Sequence, residues 1–115
     1  MRYETIPRMT REQIENELAG SDPEAMSHAI LSASLNDPEW QWAQSVCLRF
    51  LGHSEKWVRW NATTGLSHIA RIHGRLDAKI VIPKLKALLS DPDVASNVED
   101  SLTEINWFLR SDRDS

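Results

Sequence analysis

The stretch IPKLKALLSDPDVASNVEDSLTEI, residues 82–105, holds two apolar patterns of helical spacing separated by Ser-Asp-Pro-Asp. Leu85, Leu88 and Leu89 share one face before the break, and Val94, Val98, Leu102 and Ile105 share one after it. At the break, Asp91 is a residue type that caps free helix amides, Pro92 suits a first turn, and Asp93 is an acid where a helix N-terminus favours one. The stretch therefore reads as helix, tight turn, helix. The same Asp-Pro-acid signal stands at Asp22-Pro23-Glu24 and Asp37-Pro38-Glu39, with His53-Ser54-Glu55 in a fourth equivalent place, where Ser54 is the capping type. Ser54 and Asp91 are 37 residues apart, the length of a two-helix repeat.

These starts divide the chain into about six helices: 10–19, opened by Thr10 with Gln13 as a capping box and closed by Gly20; 23–35; 38–51, ended by Gly52; 55–73, ended by Gly74; 77–89; and 92–110. Pro83 falls inside the fifth. Either that helix begins near Ile82, with the proline in its first turn, or it kinks there. No segment alternates apolar and polar residues with β-branched types, so no strand is expected. The short connections favour antiparallel neighbours. The expected fold class is all-α, in one domain over residues 1–115, with residues 111–115 as a frayed tail.

IPKLKALLSDPDVASNVEDSLTEI resembles a HEAT repeat, in which an early Ile-Pro leads through Leu-Leu-x-Asp-Pro into the next first helix. VRWNATTGLSHIA, residues 58–70, is similar to a HEAT first helix at Val58, Arg59, Ala62, Leu66 and Ile69. The pattern departs in the sixth helix, where Ala95 stands in the Arg slot, and in the third, where Gln44 holds the Ala slot. The resemblance is clearest over residues 53–109, with 10–52 as degenerate or capping helices. It implies a short HEAT-like α-solenoid. The Trp-rich helix, HIARIHG at 68–74 and Val98-Glu99-Asp100 also resemble a group of small bacterial HEAT-like proteins. Members of that group act as immunity proteins beside polymorphic or contact-dependent growth-inhibition toxins.

Helical wheels sort the tryptophans. In the fourth helix Val58, Ala62, Gly65, Leu66, Ile69 and Ile72 form the core stripe, while Trp57, Trp60, Thr64, His68 and Arg71 lie together elsewhere. Those two rings either pack against an adjacent repeat or form an exposed aromatic face that binds something. In the third helix Trp40, Ala43, Cys47, Phe50 and Leu51 face the core, and Trp42 sits opposite, beside Arg49. In the sixth, Val94, Val98, Leu102, Ile105, Phe108 and Leu109 face inward, and Trp107 groups with Asp100, Thr103 and Glu104. Trp107 is either a binding residue or folds back on the fifth helix.

Charge and composition narrow the functions. The net charge is −4, with residues 71–89 at +4 and residues 90–115 at −5. That balance disfavours nucleic acid, whose phosphates demand many cations, and favours a basic partner. Single Cys47 excludes an internal disulfide and reads as a buried apolar group. His68 and His73 are five apart, which lacks the i, i+4 geometry of a helical metal pair. No phosphate loop or nucleophile-base arrangement appears, so neither an enzyme nor a cofactor is expected. MRYETIPRMTREQ has no apolar core of a signal peptide and no run reaches a membrane span, which points to the cytoplasm.

The expected function is therefore protein binding. On the immunity reading, Asp91, Asp93, Glu99, Asp100 and Glu104 steer a basic toxin domain, a nuclease for example, and Trp107, Trp60 and Trp57 anchor it. His68, Arg71 and Trp42 complete the candidate set. A general HEAT-like adaptor and a nucleic-acid module using residues 71–89 are the alternatives. A monomer is assumed.

Overall fold

A computed structural model describes residues 6–114, with no side-chain description for 111–114. Six α-helices follow one another: α1 (Arg11–Leu18), α2 (Pro23–Asn36), α3 (Trp40–Phe50), α4 (Lys56–His73), α5 (Ala78–Ala87) and α6 (Ala95–Asp114). A 3-10 turn, Leu88–Ser90, prolongs α5. No strand occurs among the described residues. The fold is the expected all-α array. The residues read as a frayed tail are Ser115, outside the described residues, and 111–114, which continue the α6 backbone.

The helix starts share one device. Asp22 accepts the Glu24 N–H, Asp37 that of Glu39, and Asp91 that of Asp93, at 3.1, 2.8 and 3.0 Å. At the fourth start the His53 ring Nδ1 accepts the Glu55 N–H at 3.0 Å. His53 thus stands where the others have Asp, and Ser54, expected as a cap, makes no side-chain cap bond. Each is a side-chain turn closing two residues on, which aims the chain into the next helix. Because the turn occupies Asp37-Pro38 and Asp91-Pro92, α3 and α6 begin two to three residues later than their prolines suggest. Thr10 and Gln13 form the expected capping box. Gly74 closes α4 in the left-handed region, φ 64°, where a side chain would be strained.

Helices α2, α4 and α6 pack side by side as one layer, with α4 in the middle. In the other layer α1 and α3 pack on α2, α3 also packs on α4, and α5 packs on α6. Gln44 joins α3 to α5, its side-chain oxygen accepting the Asp77 N–H at 2.7 Å. That bond explains why an amide occupies the slot an alanine fills elsewhere: the buried Gln44 satisfies a free amide at the start of α5. Helix α5 begins at Ala78 and carries Pro83 inside it, so the start near Ile82 does not apply.

The core is one cluster running from Ile14 and Leu18 through Ile30, Val46, Val58, Leu66 and Ile69 to Leu85, Val98 and Ile105. Each large aliphatic side chain there contributes on the order of 2 kcal/mol by leaving water. The core stripes hold with two exceptions: Ile72, in the last turn of α4, is 42% exposed, and Leu89, in the 3-10 turn after α5, is 39% exposed. Trp40, Phe50, Leu102, Phe108 and Leu109 are half-buried at the edge of the cluster.

Candidate protein-interaction surface

Helices α4 and α6 run in the same direction at a fixed offset. The Asn97 amide donates to the Trp60 carbonyl at 2.9 Å and to Thr64 Oγ1 at 3.0 Å. One helical stretch further, the Ser67 hydroxyl donates to the Glu104 carboxylate. Trp60 to Asn97 and Ser67 to Glu104 are each 37 residues, the spacing that separates Ser54 from Asp91.

This register builds a ridge from α4 and α6. Trp57 is 55% exposed at one end and Trp107 is 63% exposed at the other. In the 37-residue register Trp57 is level with Val94, which puts the two rings about 20 Å apart along the helices. Trp60 is half-buried against the core, and the Trp57 ring meets it edge-on, centroids 5.8 Å apart and planes at 64°. The pair therefore answers both expectations: Trp60 packs and Trp57 is open. The Lys56 ammonium lies 5.4 Å from the Trp57 ring centre. That contact shows the ring to be accessible to a cation.

Between the two tryptophans lie the polar groups. Asp100 and Glu99 are exposed and form no ion pair among the described residues. Glu104, also exposed, is held by Ser67. Arg71 is exposed, 3.3 Å from Nδ1 of His68. Burial holds the His68 pKa below its usual value, the Arg71 charge lowers it further, and Glu104 opposes both. The structure thus gathers Trp57, Trp60, His68, Arg71, Glu104, Asp100 and Trp107 on two adjacent helices, with Glu99 beside Asp100.

Asp91 and Asp93 are engaged within the chain. Arg59 donates through Nε to Asp91 at 2.9 Å and through Nη2 to Asp93 at 3.2 Å, while Nη1 donates to the carbonyls of His53 and Ser54 at 2.8 and 3.0 Å. The Arg59 side chain is only 13% exposed. It ties the turn before α4 to the turn before α6. Sequence reasoning placed Arg59 in a repeat pattern but did not join it to these acids. Trp42 stands apart on α3, half-buried, with the Arg11 guanidinium 4.5 Å from its ring centre. Arg11 is in turn paired with Asp37 at 2.9 Å. Arg49, expected beside Trp42, pairs with Glu15 at 2.8 Å and lies against Phe50.

Among the described residues no group of three or more His, Cys, Asp or Glu is placed to hold a metal. No helix of the described residues is long and apolar enough to cross a membrane. Buried Cys47 has its thiol pKa pushed up to about 12 by desolvation, against a lowering contact from Ser34. The surface is thus one of shape, aromatic rings and charge.

No protein-family model matches the chain, and no curated protein matches it by sequence. A solved structure does: a chain in the crystal structure of the CDI complex from Cupriavidus taiwanensis LMG 19424 is similar to this one with a TM-score of 0.83 and 30% identity. The likeness covers 94% of this chain and 97% of that one.

Proposed function

We propose that this chain, which belongs to the family of small helical proteins resembling the immunity proteins of contact-dependent growth-inhibition (CDI) systems, binds and neutralises a cognate toxin. The observation that carries this reading is that the likeness to a chain of a CDI complex spans the whole helical array rather than a single repeat. The α4–α6 ridge supplies a fitting surface. Its two exposed tryptophans, about 20 Å apart, both fit beneath one partner of ordinary interface size, roughly 800 Å² per side. Trp107 and Trp57 are the apolar anchors, and Glu99 and Asp100 are the carboxylates left open to a partner's Lys or Arg. Asp91 and Asp93 act indirectly, by holding Arg59 and so the register of the two helices.

The partner is a basic toxin domain, of nuclease type, met in the cytoplasm. Binding covers the toxin's active site or its substrate path. The chain contributes a rigid preformed face, so association proceeds with little rearrangement and is steered by charge.

The test is co-expression with the product of the gene immediately upstream, followed by capture and a growth assay. One stoichiometric, basic, growth-inhibiting partner, together with rescue of growth, is the expected result. Trp107→Ala should weaken the complex by more than tenfold, as an interface anchor does. Asp100→Lys should slow association most strongly at low salt. Capture of assorted housekeeping proteins without rescue would point to an adaptor and defeat the immunity reading.

A further inference from the structure

The outer side of α5 and the segment before it carry cations that no carboxylate answers among the described residues. Arg75, Lys79, Lys84 and Lys86 are exposed and form no ion pair among the described residues, whereas Arg11, Arg49 and Arg59 each hold an acid. The cause lies in the wheel: α5 turns Val81 and Leu85 fully inward, which directs the lysines to solvent. Ile80 is 44% exposed one turn before Lys84, with Pro83 and Ala87 exposed nearby. An aliphatic centre ringed by cations has the make-up of a protein interface. A phosphate-binding strip would sit poorly on a chain of net charge −4.

The complementary surface is carried by the same chain. Residues 71–89 have a net charge of +4 and residues 90–115 of −5. Glu99 and Asp100 are open on α6, and Trp107 stands two turns beyond Asp100 on the same face. Within one molecule these acids and the α5 lysines form no ion pair, because α5 meets α6 through its apolar side. We infer that the chain associates with a second copy of itself head to tail, the lysine face of α5 on one copy seated on the Glu99–Asp100–Trp107 face of α6 on the next. The contact joins two different patches, so a pair leaves one patch of each kind free, and assembly into an open chain or a ring grows with concentration. It also covers Trp107. If the immunity reading above is right, self-association and toxin binding compete for α6.

Sedimentation velocity of the full chain tests this at about 0.1 M and about 1 M salt, where the Debye length falls from about 10 to about 3 Å. The expected result is a weight-average mass that rises with concentration at the lower salt and returns to the monomer at the higher. The triple variant Lys79→Glu, Lys84→Glu, Lys86→Glu and the double variant Glu99→Lys, Asp100→Lys should each be monomeric alone. Mixed together they should associate, since the reversed faces complement one another, and misfolding cannot produce that rescue. A wild-type chain that stays monomeric across the concentration range at low salt overturns the inference. So does self-association that survives both reversals. Binding of an RNA duplex by a monomeric wild type, lost in the triple variant, would reassign the face to nucleic acid and equally overturn it. Failure of the immunity reading would appear only in partner capture and would leave this measurement untouched.

Discussion

The side-chain amide of Asn97 reaches across from α6 to the carbonyl of Trp60, 2.9 Å away, and bonds Thr64 Oγ1 as well. It is the point at which the 37-residue spacing becomes a physical register, repeated one stretch on by Ser67 and Glu104. Asn97→Ala removes both bonds without opening a large cavity. A partly buried neutral hydrogen bond contributes about 1 kcal/mol, so a loss of 1–2 kcal/mol is expected. Urea denaturation with an unchanged m-value measures it. A chain as stable as the wild type would show that apolar packing alone sets the register.

Arg59 should matter more. It is nearly covered and bonds two carboxylates and two carbonyls, at the joint between the turns that precede α4 and α6. Hydrogen bonds to charged groups contribute roughly 1.5–3 kcal/mol, so Arg59→Ala should cost at least about 2 kcal/mol in the same denaturation assay. Asp93→Ala should cost less than about 1 kcal/mol, because that carboxylate is half-exposed and screened by water. Equal costs for the two variants would contradict the central role given to Arg59.

Which parts of this were legible in the sequence follows from range. Helix starts are local, and the capping box at Thr10 and the Asp22 cap, decided within three residues, read correctly; Asp37 and Asp91 close turns instead, so α3 and α6 begin two to three residues past the expected start. At the fourth start Ser54 read as the cap, and the bond is made instead by the ring nitrogen of His53, a group that is not a usual capping type. Core stripes were legible because periodicity records burial, and they failed at Ile72 and Leu89, each in the last turn of its helical stretch. What joins distant turns was not legible. Nothing near Arg59 names Asp91, and nothing near Gln44 names the Asp77 amide. For the ridge, the wheel separated Trp57 and Trp60 from the core but could not tell which of the two would be open.

At Gly65, α4 comes close to both α2 and α3. A methyl carbon placed there would lie 2.7 Å from the Cys47 sulfur and in collision with the Ser34 hydroxyl. Gly65→Ala should therefore destabilise by about 1–3 kcal/mol through overpacking, despite its better helix propensity. Adding Ser34→Ala removes the nearest obstructing atom and should recover part of that loss. A thermal-melt double-mutant cycle reads the coupling. Strict additivity of the two changes would mean that the helices part enough to admit the methyl.

Cys47 offers a pH signature of the same packing. Its thiol is fully buried, and desolvation pushes its pKa up from the ordinary thiol range to about 12. The folded chain therefore keeps its proton where the unfolded chain releases it. The sign follows: this contribution is fully present below about pH 9 and is lost progressively as pH rises toward 12. In that window the slope due to this group is about 1.4 kcal/mol per pH unit. Cys47→Ala should lack it, so the wild type should lose stability between pH 9 and 10.5 faster than the variant, as followed by chemical denaturation. A thiol reagent at pH 8 should modify Cys47 only at the rate of unfolding, and rapid labelling of the folded chain would contradict the burial on which the argument rests.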